Sequence, residues 1–513
     1  MTRIVIAGAG IAGVPAAYRL KETLGPASQV IVVSDRDYFH FVPSNPWVAM
    51  GWRDENDIAF PIGKYLAERG IDFVASGLNA LDPHRRQVEL SNGQELEYDY
   101  LLLATGVLPA SGCVEGLAEY AHGVIDLERA KKAYAAYRDF VRQPGPIVVG
   151  ATQHASVLGP MYEYALLVDA DLRRRGIRER VPITIVTPEP YPGHLGLGLE
   201  TETRQLLENV LAQSDIRVIC NAETLRVTAG EVEILQRNPA ESKPAANPLP
   251  YKYCVYWPPF EGIPALRSTP GLTDAAGRVK VDSHMRSLEY PDIFAAGACV
   301  AQEAAAPTSV PVGVPDSVYA IQQETEAAVA NVLAAVRGTP LQEATFQRAA
   351  WLSDLGKNGA AFLAEPHVPL RNILWLRQGR WVHQAKIEFE QYFLNKIRLK
   401  SAHGAASTHR IARLMDSVTT GSTSGRRLRP SMSGRSLEVP LSVEAFHCLR
   451  ALANLADSEL QTLAGRLMEA ALADAKSYLS EVDLEKLERN SRRLLLNELP
   501  ESQPGVEFEA GAP

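Results

Sequence analysis

Cysteine is scarce in this sequence. The five cysteines are an odd number, widely scattered and without a C-x-x-C spacing: Cys113, Cys220, Cys254, Cys299 and Cys448. Such a distribution argues against a disulfide framework, a metal site or a paired redox centre, and it favours buried or free thiols. We therefore expect no bound metal.

Long apolar runs are also missing. No stretch of about 18 uncharged apolar residues occurs, so no segment reads as a membrane-spanning helix and any membrane contact is expected to be peripheral. The chain is already in an apolar strand by Ile4, which leaves no room for a cleavable leader and predicts a cytoplasmic location. A net charge of −8 supplies no basic face, so nucleic acid is not an expected partner.

The first recognisable motif is a glycine-rich turn between a strand and a helix. G-A-G-I-A-G runs from Gly8 to Gly13, with Gly10 and Ala12 inside it, after an apolar strand that starts at Arg3. The three glycines permit a tight turn, backbone approach to a pyrophosphate and close helix–strand packing. The next strand ends at Ser34 and Asp35, where a ribose hydroxyl is usually bound. A dinucleotide site is predicted.

Two further strings favour FAD over NAD. Leu101 to Gly106, L-L-L-A-T-G, resembles the turn of two-dinucleotide flavoproteins, with Ala104, Thr105 and Gly106 at its end. Tyr290 to Gly297, Y-P-D-I-F-A-A-G, resembles the strand that brings backbone amides to the flavin in those proteins. Ala298 follows Gly297, where most of that superfamily has Asp.

Longer strings carry a more specific resemblance, to the sulfide:quinone oxidoreductase family. They cover about residues 1 to 400 and are D-Y-F-H-F-V-P-S-N-P-W from Asp37, G-P-M-Y-E-Y-A from Gly159, E-P-Y-P-G-H-L-G from Glu189, V-P-V-G-V-P from Val310 and G-R-W-V-H-Q-A-K-I-E-F-E-Q-Y-F from Gly379. The resemblance implies FAD as cofactor and a membrane quinone as partner. Because none of the family's cysteines is available to form a flavin thioether, the FAD is expected to be noncovalent.

Site residues follow from the same resemblance. Pro43, Asn45 and Gly313 would line the flavin cavity, and the Lys386 cation would sit near the pyrimidine end of the ring, where it stabilises negative charge. The aromatic residues Phe389, Tyr392 and Phe393 would border the quinone. The polar residues Glu163 and His194 would transfer protons.

The family's sulfide-reactive cysteines are missing. The matching positions hold Val157, Trp351 and a residue near Ile125, and none of the five cysteines falls on them. Because a thiolate is needed to trap sulfur, weak or no sulfide oxidation is expected.

The predicted fold class is α/β, with two Rossmann-like domains of the glutathione-reductase type, a C-terminal membrane or quinone segment and a helical extension. The domain boundaries are 1–112 and 285–345 for the two parts of the FAD domain, 113–284 for the inserted domain, 346–405 for the quinone segment, 406–440 for a flexible linker and 441–513 for the extension. The leucine-rich extension is a candidate for binding a protein partner.

Three functions remain open: an FAD oxidoreductase that passes electrons from an unidentified donor to quinone, an NAD(P)H:quinone oxidoreductase, and a flavin-binding scaffold with impaired catalysis. Thr152 and Ala155 occupy the second and third glycine positions of the second loop, which argues against nicotinamide binding. The enzyme is expected at the inner face of the cell membrane. The donor, the quinone and a homo-oligomeric state are left undecided.

Overall fold

The computed structural model describes residues 1–198, 202–237, 245–302, 307–314, 316–344, 349–354, 359–364, 373–379 and 381–399 of the 513-residue chain. The chain divides into two units, Met1–Arg413 and Leu414–Pro513, and every described residue belongs to the first. The predicted linker at 406–440 and extension at 441–513 lie outside the described residues.

The first sheet is parallel and has five strands. Their spatial order is Ile293–Ala295, Tyr100–Leu103, Thr2–Ala7, Ser28–Val33 and Asp72–Val74. Helix Gly13–Leu24 makes the crossover between Thr2–Ala7 and Ser28–Val33, and it buries a face at helical spacing, Val14, Ala17 and Leu20. In a parallel sheet all carboxyl ends meet at one edge, so the glycine loop, Ser34 and the residues after Leu103 and Ala295 lie together there.

The second sheet is also parallel, with strands in the order Ile216–Ile219, Ile183–Val186, Ile147–Ala151 and Tyr253–Trp257. Helices Gly159–Arg174 and Glu202–Gln213 belong to this part of the chain. A three-stranded antiparallel sheet, Ala222–Val227, Glu231–Gln236 and Ala245–Pro250, follows. The two parallel sheets confirm the predicted α/β class.

Smaller elements connect these units. Strand Tyr38–His40 pairs with Ala59–Pro61, and Leu108–Pro109 pairs with Phe260–Glu261. A three-stranded antiparallel meander consists of Leu78–Asp82, Gln87–Leu90 and Glu95–Glu97. The remaining α-helices before the C-terminal segment are Asn45–Ala49, Glu55–Ile58, Gly63–Ala67, Leu117–Tyr120, Leu127–Phe140, Pro264–Arg267 and Val318–Arg337. Ser317 caps the last of these through its side chain, which accepts from the Ala320 N–H, and this helix packs on Gly13–Leu24.

The C-terminal segment of the first unit is a meander followed by a helix. Strands Ala349–Asp354, Gly359–Ala364 and Ile373–Gly379 pair antiparallel, and helix Trp381–Arg398 follows them. Within the described part of the chain, no helix is both long and apolar enough to cross a bilayer. The predicted domain boundaries stay predictions.

Candidate functional site

The glycine loop has the packing that a dinucleotide requires. Gly8 has φ +119°, and a Cβ on it would lie 2.1 Å from the Ala104 carbonyl oxygen. A Cβ on Gly13 would lie 1.9 Å from the carbonyl oxygen of Gly8, whereas one on Gly10 would meet nothing within 4 Å. The first and third glycines are thus fixed by backbone packing, while Gly10 leaves space where a pyrophosphate would lie.

The other predicted cofactor residues converge on the same edge. Ser34 is buried directly after its strand, whereas Asp35 is exposed. Ala104 donates its N–H to the Ala7 carbonyl at 2.8 Å, and Gly106, at φ +65°, faces open space. Their individual roles toward a cofactor stay predictions.

Gly297 closes this edge from the neighbouring strand. Its φ is +84°, and a Cβ on it would lie 3.3 Å from the Cβ of Ala12. Its N–H donates to the Glu324 carboxyl group at 2.8 Å. Ala298 is half-buried next to it, and the buried thiol of Cys299 donates to the Leu103 carbonyl at 3.3 Å.

Three buried polar atoms near the predicted flavin cavity have no hydrogen-bond partner among the described residues. Burial lowers the pKa of His40 to about 4, so the neutral ring donates from Nε2 to Asn45 Oδ1 at 2.7 Å. His40 Nδ1, Asn45 Nδ2 and Ser156 Oγ are left without hydrogen bonds in the described structure. An orphaned buried polar group costs about 1–3 kcal/mol, which a polar cofactor would offset. The residues present therefore fit FAD.

Gly313 is held close to this second loop. Its N–H donates to the Ala155 carbonyl at 3.0 Å, and a Cβ on it would lie 2.8 Å from Ser156 Cβ. Any other residue at 313 would push these two segments apart. Pro43 is half-buried two residues before Asn45.

Lys386 and Glu163 form a buried ion pair. Helix Trp381–Arg398 presents Lys386, whose Nζ donates to Glu163 Oε1 on helix Gly159–Arg174, and both side chains are at most 4% exposed. Burial raises the pKa of Glu163 to about 7, although the Lys386 charge opposes the shift. Nζ also lies 4.8 Å from the centroid of the Trp47 ring. The carboxyl group can therefore gain or lose a proton near neutral pH.

A second group of polar residues, which the sequence did not point to, surrounds this pair. Asp354, which is fully buried, accepts from Trp47 Nε1 at 3.1 Å and contacts His383 Nδ1 at 2.5 Å. This hydrogen bond raises the pKa of His383. The spacing of His383, Lys386 and Glu390 puts them on one helix face, and that periodicity is the signal that predicts their clustering.

Glu390 ties the same helix to the loop that carries Pro43 and Asn45. Its carboxylate accepts from Ser44 Oγ at 2.5 Å and from Arg53 Nε at 2.9 Å, and its side chain is fully buried. A buried carboxylate is tolerated because both oxygens are paired. The helix and the loop therefore hold a fixed relative position.

The predicted aromatic residues separate into two environments. Phe393 is fully buried, with its ring centroid 5.4 Å from Phe41 and 6.2 Å from Phe39. Phe389 is half-buried and meets the Phe41 ring edge-on at 5.9 Å, and Tyr392 is half-buried. Phe393 is thus a core residue, whereas Phe389 keeps part of its surface available. The quinone role of these residues stays a prediction.

His194 and the three family cysteine positions lie in four different segments of the chain. His194 is buried against Tyr191, and its Nδ1 accepts from the Gly196 N–H at 3.2 Å. Val157 and Ile125 are half-buried, and Trp351 lies in strand Ala349–Asp354. No group of three or more metal-ligating side chains occurs among the residues that the structure describes.

The thiols near the site are poor candidates to replace those cysteines. Burial raises the pKa of Cys113, and it raises that of Cys299 to about 11. Both thiols are protonated at neutral pH, whereas the reactive form of a cysteine nucleophile is the thiolate.

Comparison with known proteins defines the class first. The family model described as pyridine nucleotide-disulphide oxidoreductase matches residues 2–325, so the chain belongs to this family of FAD-dependent oxidoreductases. The predictions of an enzyme of this kind and of FAD as its cofactor are confirmed.

Within that class the relatives are more specific. The chain is 33% identical to the sulfide-quinone reductase of Aquifex aeolicus over 77% of this chain and 91% of that protein. The crystal structure of the sulfide:quinone oxidoreductase from Aquifex aeolicus matches with a TM-score of 0.74 at 32% identity, covering 78% of this chain and 92% of the other. The chain is a member of the sulfide:quinone oxidoreductase family, as the sequence motifs predicted. It is also 29% identical to an NADH dehydrogenase-like protein of Mycobacterium tuberculosis, over 58% of this chain and 72% of that protein.

Proposed function

We propose that the protein passes electrons through FAD to a membrane quinone from a donor other than sulfide. The single observation that carries the proposal is the buried Lys386–Glu163 pair, whose Lys386 lies on the helix that also bears Phe389. When bound, FAD accepts two electrons from a donor and delivers them to an acceptor. Quinone reduction consumes protons as well as electrons, and the pKa of Glu163 lies where a residue can supply them at neutral pH.

The chain's own groups have distinct tasks in this proposal. Lys386 holds a positive charge in a buried position, which favours negative charge on a neighbouring ring. Glu163 releases a proton when the quinone needs one, and His383 and Asp354 hold the surrounding hydrogen bonds in place. Phe389 offers an aromatic face to a planar ring.

Support for a donor other than sulfide comes from the residues at the family's cysteine positions. Val157, Ile125 and Trp351 have no nucleophilic sulfur, and the thiols of Cys113 and Cys299 are protonated at neutral pH. The experiment that tests the proposal mixes the purified yellow protein anaerobically with sulfide, NADH or other donors and follows bleaching of the flavin absorbance. A donor must bleach the flavin, and added quinone must restore the colour.

NADH is the second candidate donor, because the chain resembles an NADH dehydrogenase-like protein. The second loop weighs against it, since the buried side chains of Thr152 and Ala155 stand where the fingerprint has glycine. Rapid bleaching by NADH would favour this alternative. An impaired scaffold would show neither donor-driven bleaching nor recovery with quinone.

Two further features belong to the proposal. FAD is held noncovalently, so acid or heat should release all the flavin from the chain. The protein attaches peripherally to the inner face of the cell membrane, where its quinone is dissolved. Phe393 and Ile397, on the helix of the predicted membrane or quinone segment, are fully buried. Attachment therefore depends on other residues, and liposome flotation at low salt tests it.

A further inference from the structure

Two buried carboxyl groups lie beside Gly297, away from the Lys386–Glu163 pair. Glu324, on helix Val318–Arg337, accepts the Gly297 N–H at 2.8 Å. Asp316 lies just before Ser317, the residue that caps this helix. The amide of Gln302 donates to both, at 3.1 Å to Asp316 Oδ1 and 3.3 Å to Glu324 Oε1. The two acids therefore share one donor.

Among the residues that the structure describes, the charges around this carboxyl pair do not balance. Arg278 is the cation that faces it, with Nη1 3.7 Å from Asp316 Oδ2, and that oxygen has no hydrogen-bond partner among the described residues. Cys299 is a further titratable group beside Glu324, and its thiol is neutral at physiological pH. Two carboxylates against one guanidinium would leave a buried negative charge, so the pair favours keeping one proton.

The order in which the two acids titrate determines which of them carries the shared proton. Burial, reinforced by the charge of Asp316, raises the pKa of Glu324 to about 8. Burial raises the pKa of Asp316 to about 6, although Arg278 opposes the shift. At neutral pH Glu324 is the protonated member and Asp316 is paired with Arg278.

The carboxyl pair adjoins the residues that would hold the diphosphate of FAD. Gly297 lies next to Ala12 of the glycine loop, since a Cβ on Gly297 would lie 3.3 Å from the Ala12 Cβ. Helix Val318–Arg337 packs on helix Gly13–Leu24, whose N-terminus follows that loop. A diphosphate is anionic, so an ionised Glu324 behind Gly297 disfavours its binding by like-charge repulsion.

We propose that Asp316 and Glu324 form a proton-binding element of the cofactor site, so that FAD and the proton stabilise each other's binding. The inference rests on FAD as the cofactor and is independent of the donor and the acceptor. FAD affinity does not change with pH as long as Glu324 is protonated both in the FAD-free protein and in the FAD complex. It falls as the pH rises through the pKa that Glu324 has in the FAD-free protein.

The test measures FAD release from the full-length holoprotein. The protein is diluted at constant ionic strength into buffers between about pH 6.5 and about pH 9.5, and free FAD is quantified by its fluorescence. Above about pH 8 the Kd for FAD should rise by up to about tenfold per pH unit, the slope for loss of one proton. A wild-type Kd that stays flat over this range overturns the proposal without any variant.

Glu324→Gln keeps an oxygen for the Gly297 N–H but has no proton to lose. Its Kd should stay constant from near pH 7 to alkaline pH. Glu326→Gln, at an exposed acid of the same helix, is the matched control and should keep the wild-type slope. A wild-type slope in Glu324→Gln contradicts the proposal.

Asp316→Asn provides an independent check if Glu324→Gln does not retain flavin. Removing the Asp316 charge removes one cause of the high Glu324 pKa, so the rise in Kd should begin at lower pH. An unchanged onset would contradict the shared proton.

Discussion

The ammonium group of Lys386 donates a hydrogen bond to the carboxylate of Glu163 across 223 residues of sequence, and both side chains are buried. One belongs to helix Trp381–Arg398 and the other to helix Gly159–Arg174. The pair therefore joins the C-terminal segment to the second parallel sheet's helix. Burial brings the pKa of Glu163 to about 7, so the paired carboxyl group titrates near neutral pH.

Lys386→Met should destabilise the fold, because it leaves Glu163 buried without its cation. The expected loss is about 3–5 kcal/mol of the free energy of unfolding at alkaline pH. The folded pKa of Glu163 lies above the ordinary value of 4.5, so ionising this carboxyl costs stability as the pH rises from 4.5 through about 7. Without Lys386 the pH range over which ionisation of Glu163 costs stability extends to higher pH. The destabilisation by Lys386→Met should be smaller at acidic pH, where Glu163 is protonated. Urea unfolding at acidic and alkaline pH measures both.

Lys131→Met is the control for this effect, since Lys131 forms exposed ion pairs with Glu55 and Glu128. Its cost should stay within about 1 kcal/mol. A second Glu163→Leu substitution should recover most of the loss in Lys386→Met. Equal losses in the two single lysine variants would show that the buried pair has no special weight.

Gly10→Val and Gly13→Val should fail in different ways. A side chain at Gly10 enters open space, so the protein should fold but purify without flavin. At Gly13 the Cβ would lie 1.9 Å from a backbone oxygen, and the fold should lose about 1–3 kcal/mol or more. The flavin-to-protein absorbance ratio and thermal unfolding separate the two outcomes. A Gly10→Val protein that retains its full complement of flavin would contradict the assignment of the diphosphate to this loop.

Sequence patterns located the elements of the fold well where local signals are strong. The glycine turn predicted between an apolar strand and a helix lies between strand Thr2–Ala7 and helix Gly13–Leu24, and the strand predicted to end at Ser34 and Asp35 runs from Ser28 to Val33. Glycine spacing and apolar periodicity are properties of residues that are close in sequence, so the sequence contains them.

The polar surroundings of the site were not predictable in the same way. Asp354 meets Trp47 across 307 residues, and Glu390 meets Ser44 across 346, distances that no local pattern encodes. Glu324 lies in Q-Q-E-T-E, which reads as a solvated helix face, and only the fold shows that this acid is buried against Gly297. Long-range pairs of charged residues must be found in the structure.

The pH profile of quinone reduction should contain a limb set by Glu163. The rate should fall as the pH rises through about 7, because the protonated carboxyl group is the proton donor. Glu163→Gln should remove this limb and lower the rate by about 10²- to 10⁴-fold, the usual worth of a positioned acid. Steady-state assays of kcat/KM against pH measure the effect. An unchanged limb in the variant would assign the titration to another group.

Sulfide should reduce the flavin only slowly. Val157, Ile125 and Trp351 provide no thiolate to trap sulfur at the family's cysteine positions. Anaerobic stopped-flow bleaching with sulfide, alongside a family member that retains the cysteines, measures the difference at equal flavin concentration. Comparable rates would contradict the expectation, and Cys113→Ser and Cys299→Ser would then be the informative variants.

The most direct test of the proposed function is reoxidation of the flavin by quinone. The holoprotein is photoreduced without oxygen and mixed with a soluble quinone, and recovery of the flavin absorbance is followed in wild type, Phe389→Ala and the exposed-site control Glu388→Gln. The account predicts fast recovery that saturates with quinone concentration, is slowed in Phe389→Ala and is unchanged in Glu388→Gln. Recovery that never saturates and is the same in all three proteins would contradict a quinone site on this helix.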